Sequence, residues 1–143
     1  MFKVQNKGKL LAIDFGDKNT GLAVCDVSRT MVFGRGVLKG YKSLEALFEQ
    51  IMGICMDENI AEVVFGVPCG HDGFDTPQAE RMRSIGGRLE DYLGKVQVVF
   101  QDESFSSFEA DSFSMDEKLR RKYSQHELAA MLILERYLQK DTC

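Results

Sequence analysis

Two apolar runs, Leu10 to Ile13 and Thr20 to Cys25, stand on either side of a short polar turn, and the first ends on a carboxylate, Asp14. A continuous apolar run of this kind reads as a strand covered on both faces. A turn as short as Asp17-Lys18-Asn19 makes the pair a hairpin. A third β-like run follows from about Thr30 to Leu38, interrupted by Gly34 and Gly36. Three successive strands on short turns predict an antiparallel meander, with an acid left at the end of a core strand.

Beyond the meander the hydrophobic period lengthens. Leu44, Leu47, Phe48, Ile51 and Cys55 recur at helical spacing behind a plausible N-cap, Ser43. Glu62 to Val67 reads as a strand closed by Pro68, and Thr76-Pro77 as a helix start, an N-cap followed by proline at the first helical position. Met82, Ile85 and Leu89 then share one face, and KVQVVF is a further strand. Ser106 and Glu109 have capping-box spacing and open another helix, whose Phe105, Phe108 and Phe113 read as core rather than a base-stacking platform. Ser124 and Glu127 repeat the pattern and open the last helix. The predicted order is β-β-β-α-β-α-β-α-α, one α/β domain over residues 1–143.

A chain of 143 residues has room for one domain with a substantial core. No apolar run approaches the roughly 20 residues that span a bilayer, and MFKVQNKGK carries no signal-peptide segment. The expectation is a cytoplasmic chain without a membrane partner. Cys25, Cys55, Cys69 and Cys143 form no CxxC pair, so they read as free thiols rather than a zinc or redox motif. A net charge of -4 does not by itself advertise a nucleic-acid binder. The charge is uneven, however. Acids gather in QDESFSSFEADSFSMDE, and KLRRK, Lys118 to Lys122, follows at once.

Ligands of open α/β sheets sit outside the carboxyl ends of the strands. Asp14 ends the first strand, and Asp102 and Glu103 end VQVVF. If the two strands are parallel and close, their carboxylates converge and raise one another's pKa, an arrangement that calls for a cation. Oxygen donors suit Mg²⁺ or Mn²⁺, and such an ion serves phosphodiester cleavage. Taken one at a time, acids at strand ends are as often turn or cap residues.

These segments resemble the YqgF/RuvX family, RNase H-like nucleases described as pre-16S rRNA processing nucleases and Holliday junction resolvases. AIDFGDKNTGLAVCD is similar to the family's first hairpin, and VVFGVPCGHDGFDTPQAERMR to its strand-loop-helix. VVFQDESFSS is similar to its DER-type segment, and HELAAMLILERYL to its closing helix. The likeness runs in order from about Leu10 to Leu138. It implies an RNase H-like fold, a five-stranded mixed sheet with three antiparallel strands first, flanked by helices. It also implies a divalent-metal nuclease site holding Mg²⁺ or Mn²⁺ through Asp14 and Glu103. The family's third acid, in the pattern DxxAA, is His126 here.

That departure leaves three readings: a working neutral ligand, a sign of weakened chemistry, or a surface histidine. A first-turn position disfavours the imidazolium and so suits ligation. Glu127 does not simply substitute, because one residue along a helix turns the side chain by about 100°. The DER arginine is Ser104, and Asn19 follows Lys18 where the family often has a base. Lys18, Arg81, Arg120, Arg121 and Lys122 remain as candidates for the phosphate backbone, with a solvated charged loop as the bland reading of KLRRK. Arg83 ranks lower.

The function expected is a metal-dependent endonuclease on structured RNA, 5′ processing of pre-16S rRNA, with branched DNA as the alternative substrate. The competing class is a binding module that has lost cleavage. A sugar-kinase-like phosphate loop in DFGDKNTG ranks last, because such folds need two domains to enclose a nucleotide. Symmetric cutting of two strands would want a homodimer, for which the sequence marks no face.

Overall fold

The computed structural model describes residues 8–69, 76–103 and 117–139. The meander is present as β1 (Lys9–Asp14), β2 (Asn19–Cys25) and β3 (Val32–Lys39). There follow α1 (Leu44–Asp57), β4 (Ile60–Val67), α2 (Pro77–Leu93), β5 (Gln97–Asp102), α3 (Glu117–Lys122) and α4 (Gln125–Gln139). The N-caps predicted at Ser43 and Thr76 form. Ser43 Oγ accepts from the Ala46 amide at 3.1 Å and Thr76 Oγ1 from the Ala79 amide at 3.1 Å. The helix expected from Ser106, with Phe105, Phe108 and Phe113, lies outside the described residues.

KLRRK is not the loop of the bland reading: it forms most of α3. Lys, Leu and Arg are good helix formers, and Glu117 and Arg121 pair one turn apart at 3.7 Å.

The five strands are ordered β3-β2-β1-β4-β5. β1 is antiparallel to β2, and β2 to β3, whereas β4 runs parallel to both β1 and β5. β1, β4 and β5 therefore all end at the same edge of the sheet, as does β3.

Strand alternation sorts the core into two layers. Leu11, Ile13, Leu22, Val63 and Phe65 pack against α1 and α2. Leu10, Ala12, Ala23, Cys25 and Val64 pack against α4 through Leu128, Met131, Ile133 and Leu134. Asp14 lies two residues beyond Ala12 and so faces the α4 side, at the edge where the parallel strands end. That parity places the site between the sheet and the first turn of α4.

Candidate active site

Asp14 pairs with Gly21 across the β1–β2 ladder. Ile13 pairs with Phe65 on the other side, which sets Gly66 beside Asp14 in the next register position. Gly66 in turn pairs with Gln101. Asp14 is thus flanked on both sides by glycine. A Cβ at Gly21 would fall on the backbone carbonyl of His126, and one at Gly66 on Glu103 Oε1 and Ile133. These two strand glycines let α4 descend onto β2 and let the Glu103 side chain lie across β4 toward Asp14.

The convergence expected of the strand-end carboxylates is therefore present. Glu103 follows β5 directly, and its amide donates to the Val67 carbonyl at 2.9 Å, holding it to the end of β4. Burial, then the neighbouring charge of Asp14 and a hydrogen bond with it, then Asp102, push the Glu103 carboxyl up to about 7. Burial also raises Asp14, offset in part by His126 and by the hydrogen bond from Glu103. The pair accordingly holds a proton more firmly than two separate carboxyls would. Glu103 Oε1 is buried and has no hydrogen-bond partner among the described residues. A buried carboxylate oxygen without a partner, beside a second carboxylate, is an environment that a cation relieves.

Asp14 and Glu103 fit Mg²⁺ or Mn²⁺ as hard oxygen donors. His126 is exposed in the first turn of α4, close enough to act on the charge of Asp14. Among the described residues no three His, Cys, Asp or Glu side chains are grouped to hold a metal ion. The arrangement is thus a carboxylate pair with an imidazole nearby.

Glu127 is fully engaged. Its Oε1 accepts from the Ser124 amide at 3.0 Å and its amide donates to Ser124 Oγ at 3.1 Å, closing the capping box. Its Oε2 accepts from the Gly36 amide of β3 at 2.7 Å. It fastens α4 to the sheet and has no oxygen to spare for the site.

The predicted basic residues fall in two places. Lys18 is exposed in the β1–β2 turn, just past Asp14. Arg81 reaches the same turn from α2, paired with Asp17 at 2.6 Å and standing over the Phe15 ring at 5.8 Å. Arg83 lies over Phe100 at 5.5 Å. Arg120, Arg121 and Lys122 are exposed on α3. Lys122 lies over the Tyr123 ring at 5.4 Å, and Tyr123 covers Gly34 of β3. Sequence reasoning missed Gly21 and Gly66, for which a glycine inside a strand was the available signal. It also missed Tyr41, whose hydroxyl donates to the Gly16 carbonyl at 2.5 Å and so fixes the turn after Asp14.

The family model described as "RuvX: Holliday junction resolvase" matches residues 8–140. A protein named "Putative pre-16S rRNA nuclease" from Carboxydothermus hydrogenoformans is 34% identical over 134 residues, covering 91% of this chain and 95% of that one. Its namesake from Caldanaerobacter subterraneus subsp. tengcongensis is 31% identical over 134 residues, with 91% and 95% covered. Among solved structures, T. thermophilus RuvC in complex with a Holliday junction substrate matches with a TM-score of 0.59 at 12% identity, over 92% of this chain and 93% of that one. That likeness is one of fold, and with the strand order it makes the architecture RNase H-like.

Proposed function

The chain belongs to the RuvX family, and from that premise we propose that it is a metal-dependent endonuclease of structured nucleic acid, acting on the 5′ end of the 16S rRNA precursor in the cytoplasm. The observation that carries the reading is the half-buried Asp14–Glu103 pair, set between two strand glycines, with one carboxylate oxygen left without a partner among the described residues. The relatives' names supply the RNA substrate.

In this reading Asp14 and Glu103 hold Mg²⁺ or Mn²⁺, and His126 completes or modulates the site. The bound ion supplies charge neutralisation at the scissile phosphate and activation of water for in-line attack. Glu103, whose carboxyl burial and Asp14 push up to about 7, would hold the ion in its deprotonated form. The hydrogen bond to Val67 and the packing over Gly66 keep its carboxylate oriented, so little reorganisation is needed. Lys18 and the α3 bases Arg120, Arg121 and Lys122 meet the phosphate backbone on either side.

The test is cleavage of a 5′-extended 16S rRNA precursor in Mn²⁺ or Mg²⁺, with a four-way DNA junction in parallel and Asp14→Asn as control. Cleavage of the precursor by the wild type alone is expected. Cleavage of the junction alone would move the substrate to branched DNA. Binding of the precursor with no cleavage by either protein would favour the second reading, a binding module, which rests on the pairing of two rather than three ligating side chains among the described residues.

A further inference from the structure

The strand-end edge carries more positive charge than the basic motifs account for. β3 is antiparallel to β2, as β2 is to β1, and therefore ends at the same edge of the sheet as β1, with β2 between them. Its last residue, Lys39, pairs with Asn19, next to Lys18. Gly40 turns the chain at φ +76°. Tyr41 then folds back over the β1–β2 turn, where its hydroxyl donates to the Gly16 carbonyl at 2.5 Å and accepts from Thr20 Oγ1 at 2.9 Å. Thr20 is fully buried, which makes this an inward-facing clasp rather than a surface contact. Lys42 follows directly, ahead of the Ser43 cap of α1. The clasp thus holds Lys18, Lys39 and Lys42 around one turn, four residues beyond the catalytic Asp14 at Lys18.

All three lysines are exposed, and among the described residues none makes an ion pair. By contrast Lys9, Arg29, Arg35, Arg81, Arg88 and Arg121 each face a carboxylate. Asp17, the acid within this turn, is taken by Arg81. Uncompensated ammonium groups beside a carboxylate pair supply what a polyanion needs in order to approach that pair.

We propose that Lys39 and Lys42 join Lys18 in a phosphate-contact patch that holds the substrate backbone on the β3 side of the cleavage site. The patch rests on the nuclease reading above. It makes positioning contacts without sequence information, and it complements the α3 bases rather than duplicating them.

The experiment measures binding of the 5′-extended 16S precursor across a salt series. It uses the Asp14→Asn chain, so that binding is read without cleavage, and it adds Lys39→Gln/Lys42→Gln. Each phosphate contact contributes about 0.7 to 0.9 to the slope of log K against log salt, so the double variant is expected to flatten it by about 1.5. In the cleaving chain the same pair should raise KM at least about fivefold and leave kcat unchanged, as loss of uniform binding does. Lys39→Arg/Lys42→Arg should restore both, and Lys95→Gln, before the opposite end of β5, should change neither. A double glutamine variant with the wild-type slope and KM would overturn the patch while leaving the nuclease intact. A wild type that neither binds nor cuts the precursor would overturn both.

Discussion

Replacing Glu103 by Gln should make the metal-free protein more stable at alkaline pH. The folded-state pKa of Glu103 is raised from its ordinary 4.5 to about 7, first by burial and then by Asp14. Between those values the folded chain holds a proton that the unfolded chain has released. Stability contributed by this group is therefore complete below about pH 4.5 and is lost as pH rises through about 7. At about 1.4 kcal/mol per pH unit the loss amounts to about 3 kcal/mol above pH 8. Gln preserves the shape and carries no charge at any pH. In EDTA, Glu103→Gln should melt roughly 6–12 °C above the wild type at pH 8, from about 2–4 °C per kcal/mol for a chain of this size. Near pH 4.5 the two should melt together. Thermal and urea unfolding at pH 4.5, 6 and 8 provide the measurement. A wild type as stable as Glu103→Gln at pH 8, or a difference independent of pH, would refute the strained carboxylate pair.

Mn²⁺ should stabilise the wild type at pH 8 by about 2.7 kcal/mol at a hundredfold excess over Kd, and at pH 6, below the raised pKa of Glu103, its binding should release protons visible in calorimetry across buffers of different ionisation heat; Asp14→Asn and Glu103→Gln should lose both. Gly66→Ala puts a methyl where Glu103 and Ile133 lie; it should cost about 1–3 kcal/mol of stability and abolish cleavage, read by melting and precursor assay. Glu127→Ala loses a cap and the Gly36 tether and should destabilise by about 2 kcal/mol in urea, yet leave Mn²⁺ affinity within about twofold; a large loss of affinity would make Glu127 a ligand after all. His126→Asp adds a third acid beside Asp14 and should tighten Mn²⁺ binding while lowering the melting temperature in EDTA.

Much of this site was legible from residue order alone. Asp14 was visible because an apolar run that ends on an acid breaks its own pattern; Asp102 and Glu103 ended the VQVVF strand alike, and the family resemblance singled out Glu103. Three features were not legible. Gly21 and Gly66 are interior strand glycines whose purpose depends on α4 and Glu103 lying above them. Glu127 announced its capping box, but its second oxygen meets Gly36, 91 residues away. Arg81 read as a free base because nothing local tells that Asp17 and Phe15 stand opposite it. Local pattern reports faces and caps; which faces meet is decided by packing of distant segments.

The most direct test of the central claim is anomalous diffraction at the manganese edge from crystals grown with Mn²⁺ near pH 8. The site described here predicts a peak between the carboxylates of Asp14 and Glu103, within about 2.0–2.3 Å of an oxygen from each, and no such peak in Asp14→Asn. A Mn²⁺-saturated crystal with no density between those two side chains would contradict it.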